Sequence, residues 1–253
     1  MIDYHIHTRF SPDSKTTIEE LLIEVKRKGI YNFCVTDHFE YTYVGDWLLE
    51  NQFSPFVYAN HLRDLGLIAG IELGWNGMVP IVDDFRNFDF VILSIHEWFV
   101  PLSEGQRSYQ AYLQRVWSCI HHFDHFHVLG HLDFPRRYEP SFQPFGKELY
   151  GLVRDIFQRL IQTGKGVELN TKVYGNGKSE YGLPHPDIQM LALYREMGGT
   201  VITIGSDAHG LDAVGRHIQK GLRLLQDLGF RYLSTFNLPH RRWEMEPISR
   251  YIC

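Results

Sequence analysis

Ile2-Asp3-Tyr4-His5-Ile6-His7 opens the chain with a short apolar run that finishes in two histidines. Runs of this length with little alternation read as strands buried on both faces, as in parallel sheets. The unit recurs at Tyr31–Asp37, Gly66–Leu73, Phe88–Ile95, Phe126–Gly130, Gly166–Asn170 and Thr200–Gly205. Between most of these runs lie longer segments of helical periodicity. Thr16-Thr17-Ile18-Glu19-Glu20 sets a hydroxyl three residues ahead of a carboxylate, which is the capping-box spacing. It opens a helix with Ile18, Leu21, Leu22 and Val25 on one face and Gly29 beyond its end. Further helices are expected over Gly105–His122, Phe145–Thr163, Pro186–Met197 and Asp212–Leu228. Seven strand–helix units in series imply the α/β class, with parallel strands and right-handed crossovers. That number suits a distorted, TIM-like (β/α)7 barrel better than a doubly wound open sheet. The 253 residues, free of linkers and repeats, fit a single domain over 1–253.

Bulk properties narrow the function classes. Hydrophobic residues at 44% and charged residues at 22% describe an ordinary globular chain with material for one core. No apolar run approaches the roughly 20 residues of a membrane helix, so no membrane partner is expected. Met1-Ile2-Asp3-Tyr4-His5 has no basic stretch leading into an apolar one, and no secretory leader is expected. Cys34, Cys119 and Cys253 are scattered and form no redox or zinc pair; they read as reduced thiols of a cytoplasmic protein. A formal charge of −5 weighs against nucleic acid as a partner. The 14 histidines invite a metal hypothesis without establishing it, since chance alone supplies a His-x-His pair at that abundance.

Position in the fold discriminates where the count does not. Barrel active sites lie at the C-terminal ends of the strands. Here the seven runs finish, in order, at His5/His7, Asp37-His38, Glu72, His96, His131/Asp133, Glu168/Asn170 and Asp207/His209. Strand side chains alternate with period two, so His5 and His7 share one face and can reach one ion. Any one of these residues alone has a plainer reading, as a hydrogen-bonded core histidine or a helix cap. Together they would place several ionisable groups on one rim with nothing to compensate them, which is costly unless cations are held there. His125 and His127 stand at the start of the fifth run, the stability end, and are read as a decoy pair. His61, His185, His217 and His240 are assigned to solvated surface.

The segments His5-Ile6-His7, Thr36-Asp37-His38, Gly70-Ile71-Glu72, His96, Gly130-His131 and Ser206-Asp207-Ala208-His209 resemble, in order and spacing, the motifs of the PHP (polymerase and histidinol phosphatase) superfamily. Gly130-His131-Leu132-Asp133-Phe134-Pro135-Arg136-Arg137-Tyr138 and Val167-Glu168-Leu169-Asn170-Thr171 look like its histidinol-phosphatase branch. The resemblance implies a distorted seven-stranded barrel holding three divalent ions. By position, His5, His7, Glu72 and Asp207 would hold one ion, and His96 and His131 a second, with Glu72 bridging. His38 and His209 would contribute to the third. Some relatives place a further histidine where this chain has Asp13, so Asp13 is carried over as a substitute ligand, with a turn residue as its alternative.

Mixed nitrogen and oxygen ligands suit two or three Zn, Fe or Mn ions better than Mg or Ca. Such a centre would lower the pKa of a bound water to about 7 and supply a metal-bound hydroxide as nucleophile. Asp37 and Asp133 are candidates for fixing histidine tautomers behind the ligands. Arg136, Arg137 and Arg216 follow strands and are candidate phosphate-binding groups. The expected activity is hydrolysis of L-histidinol phosphate, a small phosphorylated substrate. Nucleotides or other small phosphoesters are the rival substrates, and a degenerate binding barrel is the rival class. Trp75–Asp84 and Phe39–Asp46 are expected to wall the pocket.

Overall fold

Ile2–Ile6 is buried at all five positions and forms the first strand, as its unbroken apolar character requires. The computed structural model describes residues 1–41, 43–44, 47–48, 53–97, 100–139, 141–142, 147–173 and 184–252, without the side chains at 43, 44, 47, 48, 147 and 148. The first strand pairs in parallel with Asn32–Val35. Beyond Thr36 and Asp37 the second strand resumes as His38–Glu40, which changes neighbour and pairs with Gly70–Gly74. From there Gly70–Gly74, Phe90–Ser94, Val128–Leu129, Gly166–Asn170 and Ile202–Gly205 follow as parallel neighbours. The ring closes through a parallel bridge between Ile6 and Ala208, and a second bridge joins Val35 to Ala69. All seven expected strands are present at or within a few residues of their expected bounds. The break in the second strand and the two-residue fifth strand are what distort the barrel.

The helices between strands obey local chemistry. In Ile18–Arg27, the Thr17 hydroxyl accepts from the Glu20 N–H at 3.2 Å and the Glu20 carboxylate accepts from the Thr17 N–H at 2.9 Å. Glu19 and Glu20 fill the first turn and Lys26 and Arg27 the last, each complementing the helix dipole. Gln106–His122, Lys147–Gln162 and Ile188–Glu196 lie where periodicity puts them. The expected helix over Asp212–Leu228 divides into a short 3₁₀ turn, Leu211–Ala213, and a helix, Ile218–Asp227, with Gly215 at φ 73° between them. Pro55–Asp64 is an additional helix, with Pro at its first turn and Tyr58, Ala59 and Leu62 facing inward. Among the described residues, no helix is long and apolar enough to cross a membrane.

An antiparallel hairpin, Tyr232–Asn237 with Arg242–Pro247, is a further addition to the expected elements and covers the end of the barrel opposite the ligand rim. Trp243 lies 5.3 Å from the Phe90 ring and 5.1 Å from His127, and its Nε1–H donates to the Asp89 carbonyl at 3.1 Å. The Phe236 N–H donates to the Tyr4 hydroxyl at 2.8 Å, tying the hairpin to the first strand.

His127 is a structural acceptor at this end, in line with its expected place at the start of the fifth strand. Its Nδ1 accepts from the Val91 N–H at 3.0 Å, so the ring must be neutral at that atom. Burial, with Lys165 nearby, lowers its pKa from 6.5 to about 4. The folded value lies below the unfolded one, so stability is fully present above about 6.5 and falls as pH drops towards 4. The slope is bounded by one proton, about 1.4 kcal/mol per pH unit. His127→Asn, whose amide oxygen can still accept from Val91, is expected to lose less stability than wild type between pH 7 and 5 in urea titrations. Equal losses would refute this role.

Candidate metal centre

The tautomers of the rim histidines are set from behind. The His5 Nδ1–H donates to Glu168 Oε1 at 2.5 Å, since a carboxylate can only accept. The His96 Nδ1–H donates in the same way to Glu40 Oε1 at 2.8 Å. His7 Nδ1 is 3.0 Å from Ser11 Oγ, whose single proton goes to Asp37 Oδ1 at 2.7 Å, so the serine accepts from His7. Asp37 is itself held by the Thr8 N–H at 2.6 Å, the Thr8 hydroxyl at 2.7 Å and the Tyr58 hydroxyl at 2.5 Å. In the neutral ring Nε2 is in each case the lone pair directed inward, the arrangement that metal-binding imidazoles use.

Those lone pairs converge on two carboxylates. Glu72 Oε2 lies 3.2 Å from His5 Nε2, 3.5 Å from His7 Nε2 and 3.0 Å from His38 Nδ1. Its other oxygen, Oε1, lies 3.2 Å from His96 Nε2 and 2.9 Å from His131 Nε2, and accepts from the Ser94 hydroxyl at 2.7 Å. Asp207, in the left-handed region at φ 52°, turns Oδ1 to within 3.4 Å of His7 Nε2 and 3.9 Å of His5 Nε2. Asp13 Oδ2 stands 2.9 Å from His209 Nε2 and 3.8 Å from His38 Nε2. Gly130 leaves room for this packing, since a Cβ there would stand 2.4 Å from Ser94 Oγ.

Among the described residues, His5 Nε2, His7 Nε2, His38 Nδ1 and Glu72 Oε2 are buried without a hydrogen-bond partner. Acceptors do not gather in this way unless cations join them, because leaving buried polar groups unpaired is costly. Three groupings have ligand atoms within 4.8 Å of one another: His5/His7/Asp207, His38/Glu72/His96 and His7/His38/His209. Ligands of a tetrahedral ion about 2.1 Å away stand roughly 3.4 Å apart, which the observed spacings bracket. The donor set therefore fits divalent transition ions.

Electrostatics describe the chain before loading. Burial would lower the His5 pKa, but the carboxylates of Glu168, Glu72 and Asp207 hold it well above its ordinary value. His38 is raised by Glu72 and Glu40 against the same burial, and His96 is raised to about 9 by Glu40 and Glu72. Burial holds His7 low and His131 at about 3. Glu72 stays well below the carboxylate range because His5, His38 and His96 outweigh its burial.

A pocket of about 420 Å³ opens over these groups, bordered by Phe134, Tyr138, Arg137 and Lys172. Arg137 Nη2 is 3.1 Å from Asp207 Oδ2 and its guanidinium lies over the Phe134 ring at 5.2 Å. Lys172 Nζ is 3.0 Å from Asp207 Oδ1. Of the three candidate arginines, Arg137 alone borders this pocket. Arg136 is buried and pairs with Asp187 at 2.7 Å and Asp133 at 3.2 Å, and Arg216 pairs with Asp212 at 2.7 Å on the outer surface. Asp133 touches none of the convergent histidines and binds His185 Nδ1 instead, so His185 is a buried residue rather than a surface one. Trp75 and residues 77–81 line a separate surface pocket with His122 and Phe123, and the expected wall at Phe39–Asp46 falls partly outside the described residues. Glu40, Lys172 and Ser11 were not singled out from sequence. Glu40 had a signal, standing two residues after His38 and so on the same strand face.

The family model described as PHP domain matches residues 3–172. The chain belongs to the PHP domain family. It is 33% identical to a probable histidinol-phosphatase of Thermotoga maritima over 235 residues, covering 93% of this chain and 95% of that protein. The histidinol-phosphatase of Lactococcus lactis is 27% identical over 257 residues, with 93% and 94% covered. The PHP fold is also that of the crystal structure of Lactococcus lactis histidinol phosphate phosphatase complexed with Zn, L-histidinol and phosphate. The TM-score is 0.74 at 23% identity, covering 96% of this chain and 98% of that one.

An ion taken up at His5, His38 and His96 would displace the protons that the neighbouring carboxylates favour there. Titration of metal-free protein with Zn²⁺ near pH 7 is expected to release protons, and apparent affinity is expected to rise with pH towards about 9. Isothermal titration in buffers of different ionisation enthalpy measures the release. A pH-independent affinity would contradict the protonation pattern.

Proposed function

We propose that the chain is a metal-dependent phosphomonoesterase that converts L-histidinol phosphate and water to L-histidinol and phosphate. The observation that carries this reading is the convergence of unpartnered buried imidazole and carboxylate atoms beneath a pocket edged by Arg137 and Lys172. Relatives named histidinol-phosphatase that match over nearly the whole chain support the choice of substrate.

His5, His7, Glu72 and Asp207 would hold one ion. His96 and His131, with Glu72, would hold a second, and His38, His209 and Asp13 would hold a third. The donor set suits Zn, Fe or Mn. When bound, such ions supply Lewis acidity, activating water near neutral pH and neutralising charge on the phosphoryl group. The chain's own residues bind and orient. Arg137 and Lys172 offer N–H donors to the outer phosphate oxygens, held in place by Asp207. Phe134 and Tyr138 give the leaving group an apolar wall suited to a flat ring. Glu168, Ser11 and Glu40 keep imidazole lone pairs aimed inward. A cytoplasmic setting accords with Cys34 and Cys119, both buried free thiols.

Phosphate release measured over a panel of phosphomonoesters with Mn²⁺ or Zn²⁺ tests the substrate. The highest kcat/KM is expected for L-histidinol phosphate, and a preference for nucleotides overturns that assignment. Glu72→Ala is expected to lower both bound metal and kcat by at least about a hundredfold, since it removes a ligand of two ions. Wild-type metal content and activity in that variant would refute the bridging role.

A further inference from the structure

Glu40 is buried, at 5% exposure, and is the strand partner of Gly74. Its carboxylate fills the space that any larger residue at 74 would take. A Cβ built on Gly74 would stand 1.7 Å from Glu40 Oε2 and 2.4 Å from Oε1. Desolvating a carboxylate in such a niche is costly, so what it meets there matters. Oε1 accepts from His96 Nδ1 at 2.8 Å and lies 3.3 Å from His38 Nδ1. These two imidazoles lead to different places. His96 Nε2 faces Glu72 Oε1 at 3.2 Å and His131 Nε2 at 3.3 Å. His38 Nε2 faces Asp13 Oδ2 at 3.8 Å.

We infer that Glu40 is a positioning residue that couples the second and third ion sites by holding one histidine of each. The inference rests on the ligand assignment of the proposed function. The mechanism is orientation. With its Nδ1–H held by Glu40, the His96 lone pair can lie only at Nε2, on the cluster side. The same oxygen stands at ion-pair distance, 3.3 Å, from His38 Nδ1, so moving the carboxylate changes the charge facing both rings at once. Gly74 takes part by omission, since a methyl group there would evict the carboxylate without removing it from the sequence.

The test counts ions rather than turnover. Wild type, Glu40→Gln, Glu40→Ala and Gly74→Ala are loaded with Zn²⁺ and dialysed against chelators of graded strength. Bound zinc is then measured by elemental analysis and Tm by calorimetry. Glu40→Gln, whose amide oxygen still accepts from His96, is expected to stay within about tenfold of wild-type affinity. Glu40→Ala is expected to lose the second and third ions together, with affinity down about 10- to 100-fold, while the ion on His5, His7 and Asp207 remains. Gly74→Ala is expected to follow Glu40→Ala although its glutamate is intact. Wild-type ion number and affinity in Glu40→Ala would overturn the inference. So would loss of every ion alongside a collapsed Tm in both alanine variants and the glutamine variant, which would mark Glu40 as merely structural. A wild-type protein that binds no zinc would overturn the proposed function instead, so the two failures are distinguishable.

Discussion

One buried carboxylate organises this molecule. Glu72 sits buried among the strand ends, with each oxygen committed to a different group of histidines. A lone carboxylate there would cost several kcal/mol, so the surrounding strands must deliver positive charge to it. His5 from the first strand, His38 from the second and His96 beyond the fourth supply it, while His7 and His131, held neutral by burial, stand beside them. The broken second strand serves the same end, since its shift of neighbour sets His38 directly opposite Glu72.

The polar layer behind the histidines makes the convergence rigid. Glu168, Asp37 acting through Ser11, and Glu40 each hold an imidazole by its outer nitrogen. Asp3 performs the analogous task on the backbone. It accepts from the Ser206 and Gly215 N–H groups at 2.8 Å each, fixing the loop that carries Asp207 and His209. Burial outweighs these hydrogen bonds and raises its pKa to about 6.

Much of this was legible in the sequence because strands impose a simple rule. Period-two alternation put His5 and His7 on one face, and strand ends marked Glu72, His96, His131 and Asp207. The same rule applied to Glu40. Other features had no local signal. Arg136 and Arg137 are adjacent in the 3₁₀ turn Phe134–Arg137, where successive side chains point about 120° apart, so one turns inward and the other into the pocket. His185 is drawn inside by a bridge to Asn170 across a connection whose path the sequence does not specify. The hairpin at the far end alternates too irregularly to stand out, since its second strand is only half-buried.

The closing bridge between Ile6 and Ala208 has a consequence for how the protein comes into being. Asp207 and His209 are made some two hundred residues after His5 and His7. Until then the ring has no partner with which to close at the first strand. The histidines of the first strand therefore wait for the seventh before Asp207 can face them. Ring closure and the meeting of these side chains are one event.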